Sequence, residues 1–174
     1  CTALAQVATT TGRKVPVVFA SSIQAAQDNA YGQSKRAAED ALFALQHEYG
    51  VSVHVFRLPN VFGKWARPNY NSAVATFCHN TARGLPITVN DPAASLTLVY
   101  VDDVVQRFIH LLDGADAALD AAGFATVAPQ YSTTVGALAA QIQAFKESRN
   151  NLVTERVGTG LVRALYSTYV SYLP

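Results

Sequence analysis

The strongest constraint on the fold is a strand, helix and strand pattern compressed into the first 58 residues. Lys14–Ala20 (KVPVVFA) is an apolar, β-branched run that ends at Ser21-Ser22, the pattern of a strand buried on both faces. From Ser34 to Tyr49, the residues Ala37, Ala38, Ala41, Leu42, Leu45 and Tyr49 recur at spacings of three and four, which predicts a helix. Gly50 stands where a helix terminator belongs. Val51–Leu58 (VSVHVFRL) then returns to a strand pattern. Strands joined this tightly through a helix imply a right-handed βαβ crossover in a parallel sheet.

Alternation continues downstream. Lys64–Tyr70 (KWARPNY) breaks periodicity with a proline, aromatics and cations, and reads as a functional loop before a helix from about Ser72 to Arg83, closed by Gly84. Leu96–Val101 reads as a strand, and Asp102-Asp103 as caps of a helix running through Leu112. Phe124–Ala128 is a short strand candidate. Thr133 or Thr134 is expected to cap a helix carrying Val135, Leu138, Ile142 and Phe145, and a short helix is expected near Leu161–Tyr172. Cys1–Thr10 reads as the end of a helix preceding the first strand. The expected class is α/β, the C-terminal part of a doubly wound, Rossmann-like parallel sheet, with 1–174 as a single domain fragment and no interdomain linker.

Composition narrows the function. Half of the 174 residues are hydrophobic and only 14% are charged, so disorder is excluded and much of the chain must be buried. A net charge of +1 without a basic run argues against nucleic acid as a partner. No apolar stretch approaches the ~20 residues of a spanning helix, and no signal-peptide layout opens the chain. Two cysteines, Cys1 and Cys78, make no disulfide framework, which fits a cytoplasmic location. The absence of any methionine reads as the mark of an internal fragment.

The segment with chemistry is Ser22 followed by Tyr31-Gly32-Gln33-Ser34-Lys35. Tyr31 and Lys35 are four apart, so on a helix they share a face. A phenol titrates near ~10, and a cation about one helical turn away is the cheapest way to make it an acid or base at neutral pH. A hydroxyl at the carboxyl end of a buried strand lies where open α/β sheets place their ligands. Ser21 and Ser22 are the two candidates for it, Ser21 also for satisfying backbone groups alone.

This combination resembles the extended short-chain dehydrogenase/reductase family, the NAD-dependent epimerases and dehydratases that act on nucleotide sugars. Asp28–Lys35 (DNAYGQSK) is similar to the family's proline-tyrosine-glycine-x-serine-lysine helix start, with Ala30 in place of the proline. Arg57–Gly63 (RLPNVFG) resembles its arginine-x-x-asparagine-valine-tyrosine-glycine element, and Val99–Asp103 (VYVDD) its valine-x-aspartate element. Stretches 60–80, 96–105, 145–149 and 163–174 resemble bacterial reductases of capsular-polysaccharide synthesis that act on a UDP-linked 4-keto-6-deoxy amino sugar.

The resemblance implies roles. Ser22, Tyr31 and Lys35 become the catalytic residues. Ala20, Ser21, Tyr31, Lys35, Leu58 and Pro59 become contacts of an NADP cofactor, with NAD possible. Asn60, Lys64, Arg67 and Arg83 become contacts of a UDP-sugar substrate. Many epimerases place an arginine just before the valine-x-aspartate element to grip the diphosphate, and Leu96 stands there instead. Lys64, Arg67 or Arg83 must then supply the charge. Family members often form homodimers through the helix that holds the tyrosine. No G-x-x-G-x-x-G turn for a cofactor pyrophosphate is present, so the chain alone is expected to be inactive. A nucleotide-sugar epimerase or dehydratase, and a noncatalytic NADP-binding regulator, are the rival readings. His54 and Cys78 are expected in the core, His79 at the surface, and scattered histidines give no metal site.

Overall fold

The computed structural model describes residues 1–151 and 157–174. In chain order its elements are α1 (Thr2–Thr11), β1 (Val17–Ser22), α2 (Ala30–Tyr49), β2 (Val53–Leu58), β3 (Asn60–Phe62), α3 (Ala73–Ala82), β4 (Ser95–Tyr100), α4 (Val101–Leu112), β5 (Tyr131–Thr134), α5 (Val135–Asn151) and α6 (Gly160–Val170), with a 3-10 turn over Ile23–Ala26. They form two compact units, one made of Cys1–Pro59 with Gln106–Val127 and the other of Asn60–Val105 with Ala128–Pro174. Among the described residues no helix is long and apolar enough to cross a membrane.

The first unit contains the expected βαβ crossover. Strands β1 and β2 pair in parallel from Val17 against Val53 to Ser22 against Leu58. Helix α2 lays Leu42 and Leu45 on the sheet, and these pack with Val51, Val17, Phe19 and the α1 residues Leu4, Ala5 and Ala8. Burying a leucine or valine this fully contributes about 1.5–3 kcal/mol. Helix α2 begins at Ala30, earlier than periodicity indicates, because Asn29 caps it by accepting from the Gly32 N–H at 2.8 Å. It ends at Gly50, whose φ of 63° is left-handed. Phe124–Ala128 forms no strand; Ala125 makes single bridges to Phe56 and Leu119. Pro129, which lacks an N–H, follows at once and shortens any ladder.

In the second unit β3, β4 and β5 form a sheet in that order, β3 parallel and β5 antiparallel to β4. Neither β3 nor β5 is visible as a strand by periodicity, since one has three residues and the other is the polar run YSTT. Against this sheet pack α3, α5 and α6 around Phe62, Phe77, Leu98, Leu138, Ile142, Phe145, Leu165 and Tyr169. Ser72 caps α3 by accepting from the Ala75 N–H at 3.2 Å. Thr134 rather than Thr133 serves α5, accepting from Ala137 N–H at 3.2 Å. Helix α4 starts at Val101, so Asp102 and Asp103 lie inside its first turn, not ahead of it. Carboxylates there still favour the positive end of the helix dipole. His54 is half-buried beside Ser52, and His79 is half-buried with its ring edge-on to Tyr172, not free at the surface.

Candidate functional site

Three consecutive segments of the first unit assemble the residues singled out by sequence: the end of β1, the 3-10 turn and the start of α2. Pleating directs alternate β1 side chains to opposite faces. Phe19 thus packs toward α2 and Ser21, 6% exposed, donates its hydroxyl to Glu39 Oε1 at 2.5 Å. Ser22 ends the strand and caps the 3-10 turn, its Oγ accepting from the Gln24 N–H at 3.2 Å. That leaves the Ser22 O–H free to donate elsewhere.

The turn is locked against α2. Arg36 donates through Nε to the Ala25 carbonyl at 3.1 Å and through Nη2 to the Gln27 carbonyl at 3.2 Å. A Cβ on Gly32 would lie 2.4 Å from the Gln27 carbonyl oxygen and 2.5 Å from that of Gln24, so only glycine lets the helix start this close to the turn. Gly32→Ala is expected to force the turn and the first turn of α2 apart at a cost of about 1–3 kcal/mol, read as a lowered urea midpoint. An unchanged midpoint would show that the turn yields freely.

Tyr31 is 51% exposed, and its ring lies 5.6 Å from Lys35 Nζ. The same ammonium is 5.5 Å from the Phe19 ring. Helical spacing therefore brings Tyr31 and Lys35 together as expected. Among the described residues Lys35 has no carboxylate partner; two aromatic faces are its neighbours. Ala20 is exposed, whereas Leu58 and Pro59 are buried at the end of β2.

A residue that sequence reasoning missed holds this region together. Glu39 is 1% exposed and ion-pairs with Arg57 of β2, whose Nη2 lies 2.6 Å from Oε2 and whose Nε lies 3.1 and 3.2 Å from the two carboxylate oxygens. Arg57 also stacks 3.9 Å above the Phe124 ring. Burial by itself pushes the Glu39 carboxyl up, but hydrogen bonds from Arg57 and Ser21 and the charges of Arg57 and Arg36 outweigh it and leave the carboxyl below its ordinary value. The carboxylate raises the Arg57 pKa in return. A signal exists in the spacing: Glu39 lies four residues beyond Lys35 and eight beyond Tyr31, an acid on the face that periodicity assigns to the sheet.

The second unit holds the remaining candidates. Asn60 donates from Nδ2 to the Thr97 carbonyl at 3.2 Å, fastening β3 to β4. Lys64 Nζ is 3.0 Å from Asp102 Oδ2, and that hydrogen bond, with the nearby Tyr100 hydroxyl, raises the lysine pKa. Gly63 allows this approach, because a Cβ there would lie 2.2 Å from Val101 Cγ1. Arg83 donates from Nη1 to the Tyr172 carbonyl at 2.8 Å. Arg67 is exposed, with its guanidinium 5.5 Å from the Tyr70 ring. Cys78 is fully buried, and burial pushes its thiol up to about 12, so it is a core residue without nucleophilic character at neutral pH.

A strand-end serine, a tyrosine and lysine on one helix face, and a parallel βαβ crossover agree with the family model that the chain matches: it belongs to the NAD dependent epimerase/dehydratase family over residues 4–122. It is 55% identical over 172 residues to the UDP-2-acetamido-2,6-beta-L-arabino-hexul-4-ose reductase of Pseudomonas aeruginosa, a match covering 99% of this chain and 45% of that protein. The capsular polysaccharide assembling protein CapF of Staphylococcus aureus superposes with a TM-score of 0.90 at 40% identity, over 98% of this chain and 46% of that one. The UDP-glucose 4-epimerase of Thermus thermophilus, solved with NAD, has a TM-score of 0.70 at 18% identity over 97% of this chain and 67% of its own, a likeness of fold alone. The chain thus spans less than half the length of the Pseudomonas and Staphylococcus proteins.

Proposed function

We propose that this chain carries the proton-transfer residues of an NAD(P)H-dependent reductase that converts a UDP-linked 4-keto-6-deoxy amino sugar to its alcohol during synthesis of a capsular or other surface polysaccharide. The observation that carries the reading is the pairing of the exposed Tyr31 hydroxyl-bearing ring with an ammonium, Lys35, that has no carboxylate to neutralise it among the described residues. A cation left unpaired beside a phenol is suited to hydrogen-bond ribose hydroxyls and to stabilise the phenolate left after proton release. The donor set therefore fits a nicotinamide dinucleotide, with Ala20, Ser21, Leu58 and Pro59 bordering it at the ends of β1 and β2. When bound, that cofactor supplies the hydride.

Tyr31 Oη gives its proton to the alkoxide oxygen that develops at the reduced carbon. Ser22, already oriented by the Gln24 N–H, donates its O–H to the same oxygen. Lys35 holds the charge of the tyrosine that has lost its proton. Of the three cations considered for the diphosphate, Lys64 bonds Asp102 and Arg83 bonds the Tyr172 carbonyl, while Arg67 lies beside the Tyr70 ring, which favours Arg67 for the grip; Asn60 is also assigned to the sugar nucleotide. The name of the Pseudomonas relative, a 4-ulose reductase, supports the keto-sugar substrate. The same reading has 1–174 as the C-terminal portion of one cytoplasmic reductase domain, homodimeric in the intact protein and inactive as this chain alone, with NADP the first choice over NAD.

An epimerase or dehydratase is the other reading that the family contains. Supplying the intact protein with NADPH and the UDP-linked keto sugar separates them. A reductase is expected to consume one NADPH for each sugar converted, followed by loss of NADPH absorbance. An enzyme that returns the hydride to its substrate converts sugar with no net loss of NADPH, and that outcome would overturn the reductase assignment.

A further inference from the structure

The loop after β3 holds two residues in a backbone conformation that side chains disfavour, Trp65 at φ 63° and Asn69 at φ 54°. A bulky residue at positive φ costs roughly 1–3 kcal/mol and persists only where neighbouring contacts impose it. One such contact is plain at the distal end: the Asn69 N–H donates to Thr76 Oγ1 at 2.9 Å. The other comes from the far end of the chain. Tyr172, in the turn that closes α6, donates its hydroxyl to the carbonyl of Ala66, the residue after Trp65. Tyr172 is itself fixed: it is 7% exposed, its ring sits edge-on to His79 at 6.3 Å, and Arg83 holds its carbonyl at 2.8 Å. Burial, and then the neighbouring Cys78, raise the Tyr172 pKa, which keeps the hydroxyl protonated as a donor.

The strap keeps an unusual surface in place. Trp65 is 81% exposed and Tyr70 73%, each ring with a cation nearby, Lys64 5.8 Å from Trp65 and Arg67 5.5 Å from Tyr70. Exposed rings flanked by cations suit a nucleoside diphosphate, which offers a flat base and two phosphates. We propose that Tyr172 is a positioning residue that fixes the Lys64–Tyr70 loop so that Trp65 and Arg67 meet the nucleotide of the substrate, with Arg83 acting on the loop through Tyr172 and not on the diphosphate. This rests on the sugar-nucleotide reading above.

Trp65 is the only tryptophan of the 174 residues, so its fluorescence reports the loop directly. Time-resolved anisotropy of this chain is expected to show wider local motion of Trp65 in Tyr172→Phe, which keeps the ring and loses the hydroxyl, and in Arg83→Gln at an exposed side chain. In the intact enzyme both variants are expected to raise KM for the sugar nucleotide roughly three- to tenfold, the equivalent of one hydrogen bond, with kcat and KM for NADPH unchanged. Circular dichroism checks that both variants remain folded. Unaltered Trp65 motion in Tyr172→Phe would overturn the strap, and altered motion with an unaltered KM would overturn its positioning role. An intact enzyme that binds no UDP in isothermal titration calorimetry would instead sink the nucleotide reading, leaving the anisotropy comparison to decide the strap.

Discussion

Tyr31→Phe in the intact protein is expected to lower kcat by roughly 10²–10⁴-fold, the usual contribution of a positioned proton donor, while the affinity for NADPH stays within about twofold of the parent. The substitution removes one oxygen from a half-exposed ring beside the Lys35 ammonium and keeps the ring itself, so the packing of α2 is retained. A fall in kcat without a change in cofactor affinity marks an interaction used in the chemical step. Retention of full activity would remove Tyr31 from the mechanism and with it the functional reading of Lys35.

Glu39→Gln is expected to lower the stability of the chain by about 3 kcal/mol, the cost of leaving one partner of a buried ion pair without the other. The glutamate side chain is 2% exposed and the Arg57 side chain 26%, so the guanidinium regains only part of its hydration when the carboxylate is removed. The Ser21 hydroxyl would keep an amide oxygen to donate to, which separates the charge effect from the hydrogen bond. The pair also predicts an acid limb. Because the folded-state carboxyl lies below its ordinary value, the unfolded chain binds the proton more readily. The stabilisation is therefore complete above the unfolded value of ~4.3 and is lost as pH falls through the lower folded value. Urea midpoints measured through that window should drop with acid in the parent and change less in Glu39→Gln. Equal midpoints and equal acid slopes in both would show that the pair contributes nothing net.

Physical locality explains which features are legible in the sequence. The βαβ crossover can be read because its periods, two for strands and 3.6 for the helix, are written within a few residues, and Gly50 sits where the left-handed terminator is needed. The start of α2 falls ahead of its apolar repeat because Asn29, not that repeat, sets it. The Phe124–Ala128 strand fails to form because a short apolar run specifies burial, not a continuous ladder; Ala125 and Val127 are buried, and Ala125 makes single bridges in place of a run of pairs. The Tyr31-Lys35 face is legible for the same local reason as the helix itself.

The sequence by itself determined the alternation of strands and helices, the parallel crossover and the sharing of one helical face by Tyr31 and Lys35, because each follows from spacing along a single element. Only the tertiary structure decided that Glu39 meets Ser21 and Arg57, each 18 positions away, and that Tyr172 reaches Ala66 across 106 positions. It likewise gave Lys64 and Arg83 hydrogen-bond partners and set Arg67 beside a ring. Spacing states which side chains can point the same way; which donor finds which acceptor depends on how far apart in the chain two surfaces lie before they pack, and no local pattern carries that information.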